Sequence, residues 1–129
     1  MHNSRLCGFI IDCKTDHLDE AAAFWSAALG MPARPHSHEE DQSYVYLVDP
    51  NDEVHVEVQR VSHESRVHLD IETDDIEAEV ARLEALGALR IGTVRSWCVM
   101  QAPTGQRFCV VKRTSTRFFQ TANRWPKTS

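Results

Sequence analysis

Apolar and polar side chains alternate at period two in several short runs of this chain, and two longer stretches switch to the spacing of a helix. Residues 6–13, Leu-Cys-Gly-Phe-Ile-Ile-Asp-Cys, read as a strand. A helix is predicted over about 19–29, with Phe24, Trp25, Ala28 and Leu29 as its apolar contacts; Gly30 stands where a left-handed cap belongs, and Pro32 follows. Strands are predicted over 44–48 and 54–61, separated by the turn Asp49-Pro50-Asn51-Asp52. Between helix and strand, 34–41 is polar and suits a short strand or a loop.

The same programme then runs again. A strand over 67–72 leads into a helix over about 75–86, with Thr73, Asp74 and Asp75 supplying capping side chains and Gly87 as its cap. Ile76, Val80 and Leu83 lie on one helical face. Strands over about 89–94, 97–101 and 108–111 complete the repeat, the last two joined by the turn Ala102-Pro103-Thr104-Gly105. Leu-Gly recurs at 29–30 and 86–87, and the X-Pro turn at Pro50 and Pro103. Two βαβββ modules, about 5–62 and 65–113, are the simplest account, with a basic aromatic tail over 114–129. The predicted class is α+β: the modules pair into a curved mixed sheet, helices on its outer face, with the polar strand faces lining a central small-molecule cup.

Those polar faces carry the candidate chemistry. Val67, Leu69 and Ile71 alternate with His68, Asp70 and Glu72, so an imidazole and two carboxylates project from one side of a strand. His55, Glu57 and Gln59 repeat that pattern against Val54, Val56 and Val58. His68 suits proton transfer near neutrality, or it is a structural residue bonded to Glu57 or Glu72. Trp97 can stack on a flat ligand or fill the core, and Arg95 and Arg107, near the edge of the cup, can hold an anionic ligand or serve as ordinary surface charge. Phe24 and Trp25 read as core. His36 and His38 with Glu39, Glu40 and Asp41 form a polar cluster that reads as solvated loop.

Composition narrows the class. With 129 residues, 42% apolar and 26% charged, the chain builds one domain whose core needs no disulfide or metal. Cys7, Cys13, Cys98 and Cys109 have no C-x-x-C pairing, which leaves them as reduced, mostly buried thiols. No segment resembles a signal peptide or a membrane span, so a cytoplasmic location is the default expectation, with no membrane partner. The net charge of −5 is unevenly spread: all nineteen acidic residues lie at or before Glu84, with six basic ones, while eight basic residues follow. Without an accompanying motif, this basic third does not make a nucleic-acid protein.

Taken together, Phe24-Trp25, Ala28-Leu29-Gly30, Asp49-Pro50, Val58-Gln59-Arg60-Val61, Arg66-Val67-His68-Leu69-Asp70, the run from Ala81 to Gly87, Ala102-Pro103-Thr104-Gly105 and Phe108-Cys109-Val110-Val111 resemble the vicinal oxygen chelate superfamily, in its glyoxalase-like, bleomycin-resistance-like branch. The resemblance covers roughly residues 6–112. It implies the paired βαβββ fold and a homodimer. In the metalloenzymes of this family four inner strands each give one metal ligand, usually His, Gln or Glu. Carried over, these positions fall near Gly8, on Glu57, on His68 and on Cys109, so only two keep a usual ligand. The cofactor is therefore open, with a divalent metal disfavoured, although His68, Glu57 and Cys109 with help from His55 offer zinc an acceptable donor set. The leading expectation is a small-molecule binding or sequestering module without the usual metal site, its ligand met by His55, Gln59, Asp70, Trp97, Cys109 and Arg107. The alternative is a lyase, isomerase or dioxygenase using Glu57 and His68. A third reading has the basic tail engage a partner.

Overall fold

The computed structural model describes residues 1–34 and 43–127. Its elements are β1 (His2–Lys14), α1 (Leu18–Leu29), β2 (Tyr44–Leu47), β3 (His55–Val61), β4 (Arg66–Thr73), α2 (Ile76–Ala85), β5 (Leu89–Val94), β6 (Trp97–Gln101), β7 (Arg107–Lys112), α3 (Phe118–Thr121) and β8 (Asn123–Trp125). Hydrogen bonding runs through an eight-stranded mixed sheet in the order β2-β3-β1-β4-β7-β6-β5, with β8 on β1. The class is α+β. The short strand or loop expected over 34–41, and the His36–His38 cluster, lie outside the described residues except for Arg34, whose backbone N–H donates to Tyr46 O at 2.8 Å. No described helix is long and apolar enough to cross a membrane.

The chain forms two compact units, one of Gly8–His68 and one of Met1–Cys7 with Leu69–Ser129. In the first, β3 pairs in parallel with β1 and antiparallel with β2. Ile11, Leu47, Val56 and Val58 form its core, against which Leu18, Ala21, Trp25 and Met31 pack. The spacing 18, 21, 22, 25 is one helical stripe, with Ala22 buried at its centre. This corrects the expected face: Phe24 is 62% exposed and Leu29 and Ala28 face out, because Trp25 and the small residues at 21 and 22 already fill the contact. Gly30 adopts φ 68° and closes the helix. Asp49 builds the following turn by itself: Oδ1 accepts from Asn51 N, and Oδ2 from Glu53 N and Val54 N. Those three bonds hold its carboxyl below the ordinary range.

In the second unit α2 covers β4, β7, β6 and β5. Val80, Leu83, Ala88, Cys98, Met100 and Val110 are buried together, with Ile71, Ile76 and Phe108 against them. Asp75 caps the helix by accepting from Ala78 N at 3.0 Å. Glu79 on the same helix is also fully buried. Burial acts to raise its pKa, but hydrogen bonds from Arg82, His2 and Ser4 and the Arg82 charge outweigh this and hold the carboxyl below its ordinary value. The Arg82 guanidinium in turn lies 3.9 Å from the Trp125 ring centroid, whose indole N–H donates to Ser4 Oγ at 2.8 Å.

The tail thus packs on the unit that contains it. Phe118 is fully buried, and buried Glu72 accepts from Thr114 N at 2.8 Å, Ser115 N at 3.0 Å and the Ser115 hydroxyl. None of the four cysteines forms a disulfide; Cys7 and Cys98 are buried, and Cys13 and Cys109 half-buried. Burial pushes the Cys13 and Cys98 thiols up in pKa, which disfavours the reactive thiolate.

Candidate functional site

Period-two alternation turns one face of the Gly8–His68 sheet toward α1 and leaves the other polar. The register aligns Gly8 with His55, Ile10 with Glu57 and Tyr46, and Asp12 with Gln59 and Tyr44. Residues opposite one another share a face, so His55, Glu57 and Gln59 stand in rows with two tyrosines and Asp12.

The groups on this face are coupled. His55 Nε2 donates to Glu57 Oε1 at 2.9 Å. The Tyr46 ring meets the edges of Tyr44 and His55, each with centroids 5.1 Å away. Burial, and next the Glu57 charge, push the Tyr46 hydroxyl far above the ordinary phenol range, so it stays a neutral donor. His68 Nδ1 donates to Asp12 Oδ2 at 2.7 Å, and Arg66 Nε lies 3.8 Å from the same oxygen. Asp12 is 2% exposed, and its Oδ1 has no hydrogen-bond partner among the described residues.

These contacts revise the expected partners. His68 is bonded to Asp12, not to Glu57 or Glu72: Glu57 is engaged by His55, and Glu72 by the start of the tail. Asp12, Tyr44 and Tyr46 join the candidates only through the strand register. The signal for Asp12 was present, since a lone carboxylate interrupts the apolar run Phe9-Ile10-Ile11 on the face set by Gly8 and Ile10.

The other candidates lie in the second unit. Asp70 pairs with Cys109, and Cys109 with Val99, on the sheet face opposite the α2 core. Arg107 Nε donates to Gln101 Oε1 at 3.1 Å, so its guanidinium is held within its own sheet. Trp97 is half-buried at the start of β6, with the Arg95 guanidinium 5.9 Å from its ring centroid.

Whether this chain suits a four-ligand metal turns on Gly8. A Cβ at Gly8 would lie 1.8 Å from the backbone oxygen of His55 and 2.6 Å from its carbonyl carbon. β1 approaches β3 too closely there for any side chain, so the first ligand position is closed by backbone and not merely vacant by composition. Glu57 and His68, the two positions that keep a usual ligand, are hydrogen-bonded to His55 and Asp12. The four-ligand set of the metalloenzymes does not fit.

A family model described as Glyoxalase-like domain matches residues 8–111. No curated protein shows significant similarity. Among solved structures, the Mn(II)-bound glyoxalase from Novosphingobium aromaticivorans is 19% identical, with a TM-score of 0.59 over 91% of this chain and 44% of that one. Methylmalonyl-CoA epimerase from Mycobacterium tuberculosis is 16% identical, with a TM-score of 0.56 over 84% of this chain and 87% of that one. An extradiol ring-cleaving dioxygenase from B. fuscum is 14% identical, with a TM-score of 0.54 over 85% and 32%. The chain spans less than half the length of that glyoxalase. At these identities the likeness is one of fold.

Proposed function

Because the chain belongs to the glyoxalase-like domain family, we propose that it binds a small organic molecule on the polar face of its Gly8–His68 unit, without the four-ligand metal of that family's metalloenzymes. The observation that carries this reading is the contact at Gly8, which leaves a polar, titratable sheet face with its first metal position shut. Asp12, Tyr46, His55, Glu57, Gln59 and His68 supply donors and acceptors for a ligand, and rigid strands hold them in place. A homodimer is part of the proposal.

A second reading, an enzyme of the lyase, isomerase or dioxygenase type, draws support from one contact. Asp12 fixes the orientation of the His68 ring through Nδ1, as a carboxylate does for a histidine that moves protons.

Histidine and tyrosine ring resonances followed by NMR in the presence of EDTA, as a library of small organic fragments is added, test the binding reading. Saturable shifts at His55, His68, Tyr44 and Tyr46 are expected. Shifts that require added manganese or zinc, or that fall only on opposite-face groups such as Trp25, would overturn it.

A further inference from the structure

Resting on the small-molecule reading above, we infer that the polar face of the Gly8–His68 unit is a seat for an organic cation, a ligand bearing a guanidinium or primary ammonium group. Four independent observations converge on this class.

The first is that the seat already carries a cation from the chain itself. The Arg34 guanidinium carbon lies 4.2 Å from the Tyr46 ring centroid. Its backbone is held there by the Arg34 N–H bond to Tyr46 O at 2.8 Å and by the bridge of Ala33 to Leu47. A ring face stacked this way attracts positive charge through its quadrupole.

The second is the surround of that ring. Tyr44 and His55 both meet it edge-on, which gives a three-ring aromatic wall. Glu57 pairs with Tyr46 in the sheet register, so a carboxylate flanks the wall. Aromatic rings beside a carboxylate are the arrangement that recognises alkylammonium and guanidinium groups.

The third is the orphaned oxygen on the next row. Asp12 is almost completely buried, and both of its neighbouring donors, His68 and Arg66, sit on Oδ2. Oδ1 has no partner among the described residues. Asp12 lies on β1, two strands from Tyr46 on β2, so this buried acidic group favours a cation on the face through its field and not as a direct contact.

The fourth is long-range. Residues 8–68 hold twelve acidic and four basic side chains, a net of −8, whereas the remaining residues hold seven acidic and ten basic. The unit that carries the seat therefore attracts cations and repels carboxylates and phosphates.

Arg34 in this arrangement is a competitor that the ligand displaces. The test uses three probes of similar size: ethylguanidinium chloride, its neutral counterpart ethylurea, and sodium propionate. Each is titrated into the full chain at constant ionic strength, with the ring resonances of Tyr46 and His55 observed. Ethylguanidinium is expected to shift both saturably, and ethylurea and propionate are not. Arg34→Ala is expected to tighten ethylguanidinium binding. Tyr46→Leu is expected to weaken it about two- to fivefold, the range of an exposed cation–π contact. Glu57→Gln, which keeps the shape and the acceptor for His55, is expected to weaken it by at least as much. An unchanged amide spectrum away from β2 and β3 establishes that each variant is folded.

Equal shifts with ethylurea, or binding untouched by Glu57→Gln, would overturn the cation seat. Propionate acting on the same rings while ethylguanidinium does not would overturn the ligand class and leave the small-molecule reading standing. If no probe perturbs this face, both fall.

Discussion

Replacing Gly8 with alanine is expected to destabilise the protein by about 3 kcal/mol or more, at or beyond the upper end of ordinary overpacking. The added methyl group would sit 1.8 Å from the His55 carbonyl oxygen, and the obstacle is backbone, not a side-chain tip that can swing aside. Relief requires β1 to move away from β3, which loosens the pairing from Gly8–His55 onward. Equilibrium urea unfolding measures this directly. A Gly8→Ala protein as stable as the parent would show that the strands can part cheaply, and the argument that the first metal position is closed would fail with it.

The second large effect concerns the tail. Phe118→Ala is expected to cost about 3–5 kcal/mol, the range for truncating a fully buried phenylalanine. Ending the chain after Arg113 is expected to do more. It removes Phe118 and β8 together, and it strips Thr114 and Ser115 from Glu72, leaving a buried carboxylate without its three closest donors. Glu72 would retain Arg5, whose Nε lies 3.6 Å away. Thermal unfolding followed by circular dichroism is expected to show a truncated chain with no cooperative transition near that of the parent. A truncated chain with the parent's midpoint would mean that the tail is an appendage and that its buried contacts contribute nothing.

Much of the fold could be read from local pattern because strands and helices here obey their periods. Val56 and Val58 alternate with His55, Glu57 and Gln59, and the burial follows that alternation residue by residue. Asp75, Gly30 and Gly105 sit where capping and turn chemistry place them. Aromatic size points to Phe24 as the core contact of α1, whereas the stripe is set by Leu18, Ala21, Ala22 and Trp25. Size is not direction. The burial of two carboxylates, Glu79 on α2 and Glu72 on β4, is hidden for another reason: apart from Arg82, one turn along from Glu79, their hydrogen-bond partners come from residues such as 2, 114 and 115, and no local pattern announces a contact across that sequence distance.

The candidate site divides along the same line. His55, Glu57, Gln59 and His68 were legible as polar positions on apolar strands. Their partners were not, since Asp12 meets His68 across 56 residues. Glycine at position 8 reads in sequence as a missing ligand. Its close approach to His55 supplies the physical reason, and that reason concerns strand packing.

The most direct measurement of the central claim is metal content by inductively coupled plasma mass spectrometry, on protein purified without chelator or affinity tag. The same protein is measured again after incubation with manganese, iron, nickel and zinc salts and desalting. The predicted result is sub-stoichiometric metal in every sample, unchanged by His68→Ala. One metal ion per chain, lost on His68→Ala, would contradict the account.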